Sequence, residues 1–232
     1  MLSTHHFFDP SVEAVIRFGG SLPHWSQPGV VVFITWRTWD SIPEHVLNEW
    51  IQIKNRWLDR HGLDRNSQDV PRQLGQLSPE LQRSYRQLVS DRWEAKLDSC
   101  HGTCVLRLVQ CAEIVASSLK HFDHDRYRLH DFVIMPNHVH LLVTFENDQM
   151  FETQTTSWKK YTATQINRFL GRSGRFWMTE SFDHLVRSDE QFRYLRDYIK
   201  DNPRRARVAL PDVCHYSEAT KPNCLVGVTL TP

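Results

Sequence analysis

The stretch from Tyr127 to Phe145 (Tyr-Arg-Leu-His-Asp-Phe-Val-Ile-Met-Pro-Asn-His-Val-His-Leu-Leu-Val-Thr-Phe) constrains the fold of this chain more than any other. Two apolar, β-branched runs flank Pro136-Asn137, a pair with turn chemistry, so the stretch predicts an antiparallel hairpin. Side chains alternate across a strand, so His138 and His140 share one face while Val139 takes the other. Two imidazoles with Cβ atoms roughly 7 Å apart can converge on one divalent ion. A chance His-hydrophobe-His in a chain with 13 histidines is the competing account. Two imidazoles are too few ligands, so a metal reading also demands a third.

The remaining elements follow from period and punctuation. Val30–Trp36 is a continuous apolar run that reads as a buried strand. Glu44–Leu58 carries helical spacing behind Pro43, and residues 59–77 read as a polar loop. Ser78-Pro79-Glu-Leu opens a helix reaching to about Leu97, and a further helix covers Leu108–Phe122. After the hairpin come an amphipathic helix from Ser157 to Leu170 ended by Gly171 and a strand from Phe176 to Val186. A last helix runs from Asp189 to Asn202 and is stopped by Pro203. With 43–98 set aside, the order is strand, helix, strand, strand, helix, strand, helix. That is a ferredoxin-like α+β sandwich, an antiparallel sheet with helices on one face, carrying a helical insertion at about 43–98. Residues 1–28 read as an irregular arm, 29–208 as a single domain and 209–232 as a tail.

Composition excludes two classes. With 40% hydrophobic residues the chain can close a core, and no apolar run approaches the 18 or so residues of a membrane span. The first residues lack a basic n-region and an apolar h-region, so no secretory signal is read. Five cysteines without framework spacing predict reduced thiols and a cytoplasmic protein. Cys100-His101-Gly-Thr-Cys104 invites a zinc reading but lacks a second pair at finger spacing. The net charge of +1 is uninformative; its distribution is not. Residues 158–207 hold 12 Lys/Arg against 6 Asp/Glu, a local +6 that fits a polyanion partner, although a solvated helix surface gives the same pattern.

The last helix offers the missing chemistry. Tyr198 and Asn202 stand at i and i+4 on one helix face. Asn202 can give a neutral carbonyl oxygen to a hard cation such as Mg2+ or Mn2+. Tyr198 can give a phenol nucleophile, which at a free pKa of about 10 needs help to attack at neutral pH. The alternative is that Asn202 merely ends the helix and Tyr198 is core. Tyr194 shares the face but lies about 12 Å from Asn202 along the axis. Tyr161 has no ligand partner one turn away.

Val133-Ile-Met-Pro-Asn-His138-Val-His140-Leu-Leu-Val resembles the HUH strand of single-tyrosine transposases. Asp197-Tyr198-Ile-Lys-Asp-Asn202-Pro203 resembles the tyrosine helix of the REP-associated tyrosine transposases. Trp158-Lys-Lys-Tyr, Phe176-Trp177 and Ser181-Phe-Asp183-His184-Leu-Val-Arg187 keep that family's order, and Leu22-Pro-His-Trp25 before the first strand is similar too. The resemblance covers about 22–38 and 95–208. It implies His138, His140 and Asn202 as ligands of Mg2+ or Mn2+ and Tyr198 as nucleophile. It also implies a single-stranded or hairpin DNA partner, cleaved and rejoined through a 5′-phosphotyrosine, and a monomer or weak dimer. Lys159, Lys160, Arg168, Arg187, Arg204 and Arg205 are the expected phosphate contacts. The alternatives are a domesticated DNA-hairpin binder without catalysis, an HUH replication initiator, and a metallohydrolase that does not act on nucleic acid. No Walker pattern is present, in keeping with chemistry that needs no ATP.

Overall fold

The computed structural model describes residues 6–9, 11–12, 15–18, 23–65, 67, 70–85, 87–88, 100–179, 181–209 and 213–219. It divides into two compact units, one of residues 40–103 and one of residues 1–39 with 104–232.

The larger unit is built on a five-stranded sheet of β3 (Val31–Arg37), β4 (Tyr127–Ile134), β5 (His138–Phe145), β6 (Phe182–Leu185) and β7 (Cys214–Ser217). A separate hairpin pairs β1 (Val15–Phe18) with β2 (Pro23–Ser26). The strand order is β6-β3-β5-β4-β7, every neighbour antiparallel. The first four strands have the ferredoxin-like order, and β7 extends the edge beside β4. Antiparallel sheets with one wet face alternate apolar and polar residues. Here β3 is buried at every position and β5 at all but Thr144, because helices cover both faces.

One face carries Val32, Ile34, Trp36, Leu141 and Val143, packed with α3 (Val109–Lys120) and α4 (Asp148–Phe169). The other carries Val31, Phe33, Val133 and Leu142, packed with Phe192, Leu195, Tyr198 and Ile199 of α5 (Asp189–Arg205). The two crossover helices therefore share one face, as the sequence order predicts. The last helix departs from that one-face arrangement and takes the opposite side. Trp158 is central to the first core, against Tyr127 at 4.9 Å and Trp36 at 5.9 Å between ring centroids. Trp177 donates from Nε1 to Thr162 Oγ1 at 2.8 Å, so the neighbouring indole is buried with its polar atom satisfied.

The smaller unit is helical, with α1 (Glu44–Arg60), α2 (Val70–Gln76) and a further helical stretch over residues 79–85. Trp57 stacks on His61 at 3.9 Å and faces Tyr85 at 5.0 Å, and burial pushes the Tyr85 phenol up to about 12. Its two ends are tied together, because Thr103 donates from N and Oγ1 to Asp40 Oδ2 at 2.8 and 2.6 Å. Gly102, at φ +91°, passes so close that a Cβ there would meet the Asp40 carbonyl oxygen at 2.5 Å.

Several elements differ from the sequence reading. α4 begins at Asp148 instead of Ser157, capped by Asn147 Oδ1 accepting from Met150 N at 2.9 Å. The strand expected over Phe176–Val186 is confined to Phe182–Leu185, with Trp177 making only an isolated bridge to Thr38. Residues 59–77 contain α2, and the helix expected to reach Leu97 lies partly outside the described residues. Pattern marks neither the β1–β2 hairpin nor β7, each strand being four residues long. Cys100, Cys104 and Cys111 are free, and Cys224 lies outside the described residues. Among the described residues no helix is long and apolar enough to cross a membrane.

Candidate active site

The sheet and α5 bring four of the expected residues together. Thr35 on β3 stands opposite His140 and Arg37 opposite His138, so all four face α5. Across that face the His138 and His140 rings lie 4.6 Å apart, and His140 meets the Tyr198 ring edge-on at 5.3 Å. Phe33 stacks on His140 at 5.5 Å and meets Tyr198 at 6.1 Å, closing the apolar side. His138, His140 and Asn202 are at most 1% exposed, and Tyr198 is 5% exposed.

α5 reaches this position because its ends and its inner face are fixed. Ser188 Oγ accepts from Gln191 N at 3.1 Å, with Asp189 and Glu190 in the first turn and Arg204 and Arg205 in the last, matching the helix dipole. Arg196 Nε lies 2.9 Å from the buried Asp131 Oδ2, and Arg196 donates to Ser217 Oγ at 3.1 Å, tying the helix to β4 and β7. Burial raises the Asp131 carboxyl, while the hydrogen bond from Ser217 and the Arg196 guanidinium oppose the rise. Arg196, part of the +6 segment, is thus engaged inside the fold.

Pro203 does not end α5, contrary to the sequence reading; the helix continues to Arg205. A proline removes one i to i−4 hydrogen bond, here the one that Ile199 would accept, and the helix runs only two residues past it. That extra turn matters, because Tyr198, Asn202 and Arg205 at i, i+4 and i+7 now form one stripe. The Arg205 guanidinium lies 4.9 Å from the Tyr198 ring centroid. Arg204, one residue earlier, points elsewhere, 83% exposed and 3.7 Å from Asp201.

The histidines are held by their inner nitrogens. His138 Nδ1 hydrogen-bonds Asn137 Oδ1 at 2.8 Å, and His140 Nδ1 hydrogen-bonds Thr35 Oγ1 at 2.7 Å. An amide oxygen only accepts, so His138 carries its proton on Nδ1 and its Nε2 lone pair is open. Among the described residues, His138 Nε2, His140 Nε2 and both amide atoms of Asn202 are buried without a hydrogen bond of good geometry. Leaving such atoms unsatisfied is costly, and a divalent cation is the group that two imidazole nitrogens and an amide oxygen would satisfy together. These residues fit a Mg2+ or Mn2+ ion. No group of three His, Cys, Asp or Glu side chains placed to hold a metal ion occurs among the described residues, so a cation here would be held by a neutral set.

Burial drives the His138 pKa down to about 3, against a smaller opposing effect of the adjacent Asn202 side chain. It drives His140 well below its ordinary value, and the neighbouring His138 and Arg205 further disfavour a positive charge there. Both imidazoles are therefore neutral at physiological pH, the state that binds metal. As pH falls below about 6.5 the unfolded chain takes up protons that the folded chain refuses, so folding weakens with acid. In chelator, about 2 kcal/mol from His138 is expected to be lost between pH 7 and pH 5, with His140 acting in the same direction, in a window in which carboxylates hardly titrate. Urea denaturation at the two pH values measures it. Equal midpoints would mean that the imidazoles are hydrated.

The structure places the remaining expected residues on two sides of the sheet. Arg187, Arg204 and Arg205 lie at the ends of α5, but Lys159, Lys160 and Arg168 are on α4, over the opposite face. Lys159 Nζ donates to the Thr179 carbonyl at 3.0 Å. Tyr194 and Tyr161 are 62% and 53% exposed, outside the site. Sequence reasoning missed Thr35, Asn137, Phe33 and Arg37. Asn137 was legible only as a turn residue, and the β3 residues enter through a cross-strand register that local pattern does not reveal.

Neither protein-family models nor curated proteins give a match to this chain. Among solved structures, one of the REP-associated tyrosine transposase bound to a REP hairpin is similar, at 16% identity and a TM-score of 0.40. The similarity covers 78% of this chain and 70% of that one.

Proposed function

We propose that this protein is a metal-dependent endonuclease and strand transferase that cuts and rejoins single-stranded DNA through a covalent tyrosine. The observation that carries the reading is the convergence of His138 Nε2, His140 Nε2 and the Asn202 amide, buried and without good hydrogen bonds, beside Tyr198. His138, His140 and Asn202 would hold Mg2+ or Mn2+. The bound ion would supply Lewis-acid polarisation of the scissile phosphate. Tyr198 Oη attacks phosphorus, losing its proton to solvent as the new P–O bond forms. By the family resemblance, the departing group is the 3′ oxygen, which takes up a proton, and the 5′ end stays on Tyr198. Attack by another 3′-OH reverses both transfers, and the phosphodiester energy is conserved in the link. Tyr198 is too buried for direct access, so the phosphate reaches it as the exposed Arg205 side chain moves off the ring. The guanidinium is then beside the developing phosphate charge.

Incubation with end-labelled single-stranded DNA and Mn2+, followed by a denaturing gel, tests the reading; a protein–DNA adduct is expected. Binding without any adduct would instead favour the non-catalytic DNA-hairpin binder. Binding should also weaken with salt, log K falling by about 0.7 per phosphate contact for each log unit of salt. Arg205→Ala should remove about one contact from that slope. Arg204→Ala, whose guanidinium already neighbours Asp201, should change it less. Salt-independent binding would turn the reading toward a small-substrate metallohydrolase.

A further inference from the structure

The sheet splits the basic segment, and one part of it is not explained by the tyrosine site. Residues 153–179 contain five Lys/Arg and no Asp or Glu. They form most of α4 and the loop after it, on the face opposite α5. That loop is held in one shape. Gly171 and Gly174 take φ +62° and +95°, Asn167 Nδ2 donates to the Gly174 carbonyl at 2.9 Å, and Arg172 Nε donates to Asn167 Oδ1 at 3.2 Å. Phe176 and Trp177 then anchor it in the core.

The loop presents Arg175 to Trp39, with the guanidinium 4.2 Å from the ring centroid. Trp39 is 49% exposed, although Trp is a residue that folding usually buries. Its backbone is rigidly placed: Trp39 N donates to the Phe176 carbonyl at 2.8 Å, and Thr38 N to the Asn137 carbonyl at 2.8 Å. Asn137 is the residue that holds His138. The Trp39–Arg175 pair thus stands at the end of the sheet where the histidine strand begins, beside the basic loop that follows α4.

We propose that Trp39 and Arg175 form a subsite for one unpaired nucleotide of the DNA strand, the base stacking on the indole and its phosphate pairing with the guanidinium. The proposal rests on the reading of the site as a single-strand DNA nuclease. An exposed indole offers a sequence-tolerant π-face, and the arginine offers N–H donors that its contact with the ring leaves available. A base within a duplex is already stacked on both sides and cannot use the subsite, so the ligand is a single strand. The five Lys/Arg of residues 153–179 attract its backbone.

The test uses Tyr198→Phe protein, which cannot consume the DNA, and a fluorescent single-stranded oligonucleotide. In a series of oligonucleotides a single abasic position is moved along the strand. Trp39→Ala should weaken binding of the intact strand about fivefold to a hundredfold. Trp39→Phe should retain most of the affinity, and Arg175→Ala should flatten the salt dependence. One abasic position should reproduce the loss, and there Trp39→Ala should cost nothing more. Unchanged binding by Trp39→Ala, or a loss that is the same at every abasic position, overturns the subsite. An adduct formed by the wild-type protein together with either of those results sinks the subsite alone. No adduct, with the cycle intact, sinks the nuclease reading and keeps the subsite. No binding by the Tyr198→Phe protein overturns both.

Discussion

Tyr198→Phe is expected to abolish covalent attachment to DNA while leaving the fold and metal binding in place. The substitution removes one oxygen from a ring that is packed against Phe33 and His140, so the packing contacts survive. The loss should be complete, because no other phenol shares the site. Tyr194 is four residues earlier on α5 and 62% exposed, and Tyr161 lies on α4 across the sheet. Tyr194→Phe and Tyr161→Phe should therefore form adduct at the wild-type rate. Proteolysis of a trapped adduct and mass mapping of the modified peptide decide the matter. DNA found on any residue but Tyr198 would falsify the assignment even if cleavage were real. Placing nucleophile and ligand one helical turn apart lets a single rigid element present both to one phosphate, the kind of positioning that lowers a bimolecular barrier most.

The two halves of this site were unequally legible in the sequence. His138-Val-His140 and Tyr198–Asn202 could be read because each depends on the period of one element, two for a strand and 3.6 for a helix. The face on which α5 packs could not, since an amphipathic helix fits either side of a sheet that is apolar on both. The reach of α5 past Pro203 was also hidden, and with it the place of Arg205 on the Tyr198 stripe. Proline removes a hydrogen bond that a helix needs past its first turn, so the sequence predicts a stop that the structure delays by three residues. Thr35 became part of the site through its register with His140, a relation between residues 105 apart in the chain. Basic charge was visible, but its division between two faces depends on which helix covers which side.

Replacing either histidine tests the metal directly. His138→Ala or His140→Ala should reduce Mn2+ affinity by at least about a hundredfold, beyond the 10–100-fold typical of residues that only orient a ligand. Cleavage should fall below detection, while single-stranded DNA binding largely persists because phosphate contacts dominate affinity. Each variant also empties a buried position, so its melting temperature in chelator has to be measured alongside. A graded pair separates coordination from packing. Asn137→Ala and Thr35→Val leave both imidazoles in the core but release the Nδ1 hydrogen bonds of 2.8 and 2.7 Å. They should fall within the 10–100-fold range of a lost orienting partner. Electron paramagnetic resonance titration of Mn2+ reads affinity without reference to catalysis. If the order is ligand variants weakest, orienting variants intermediate and wild type tightest, the buried nitrogens hold the ion. Equal Mn2+ binding by wild type and His138→Ala/His140→Ala would remove the metal from the site. Tyr198 would then lack the polarised phosphate on which its attack at neutral pH depends.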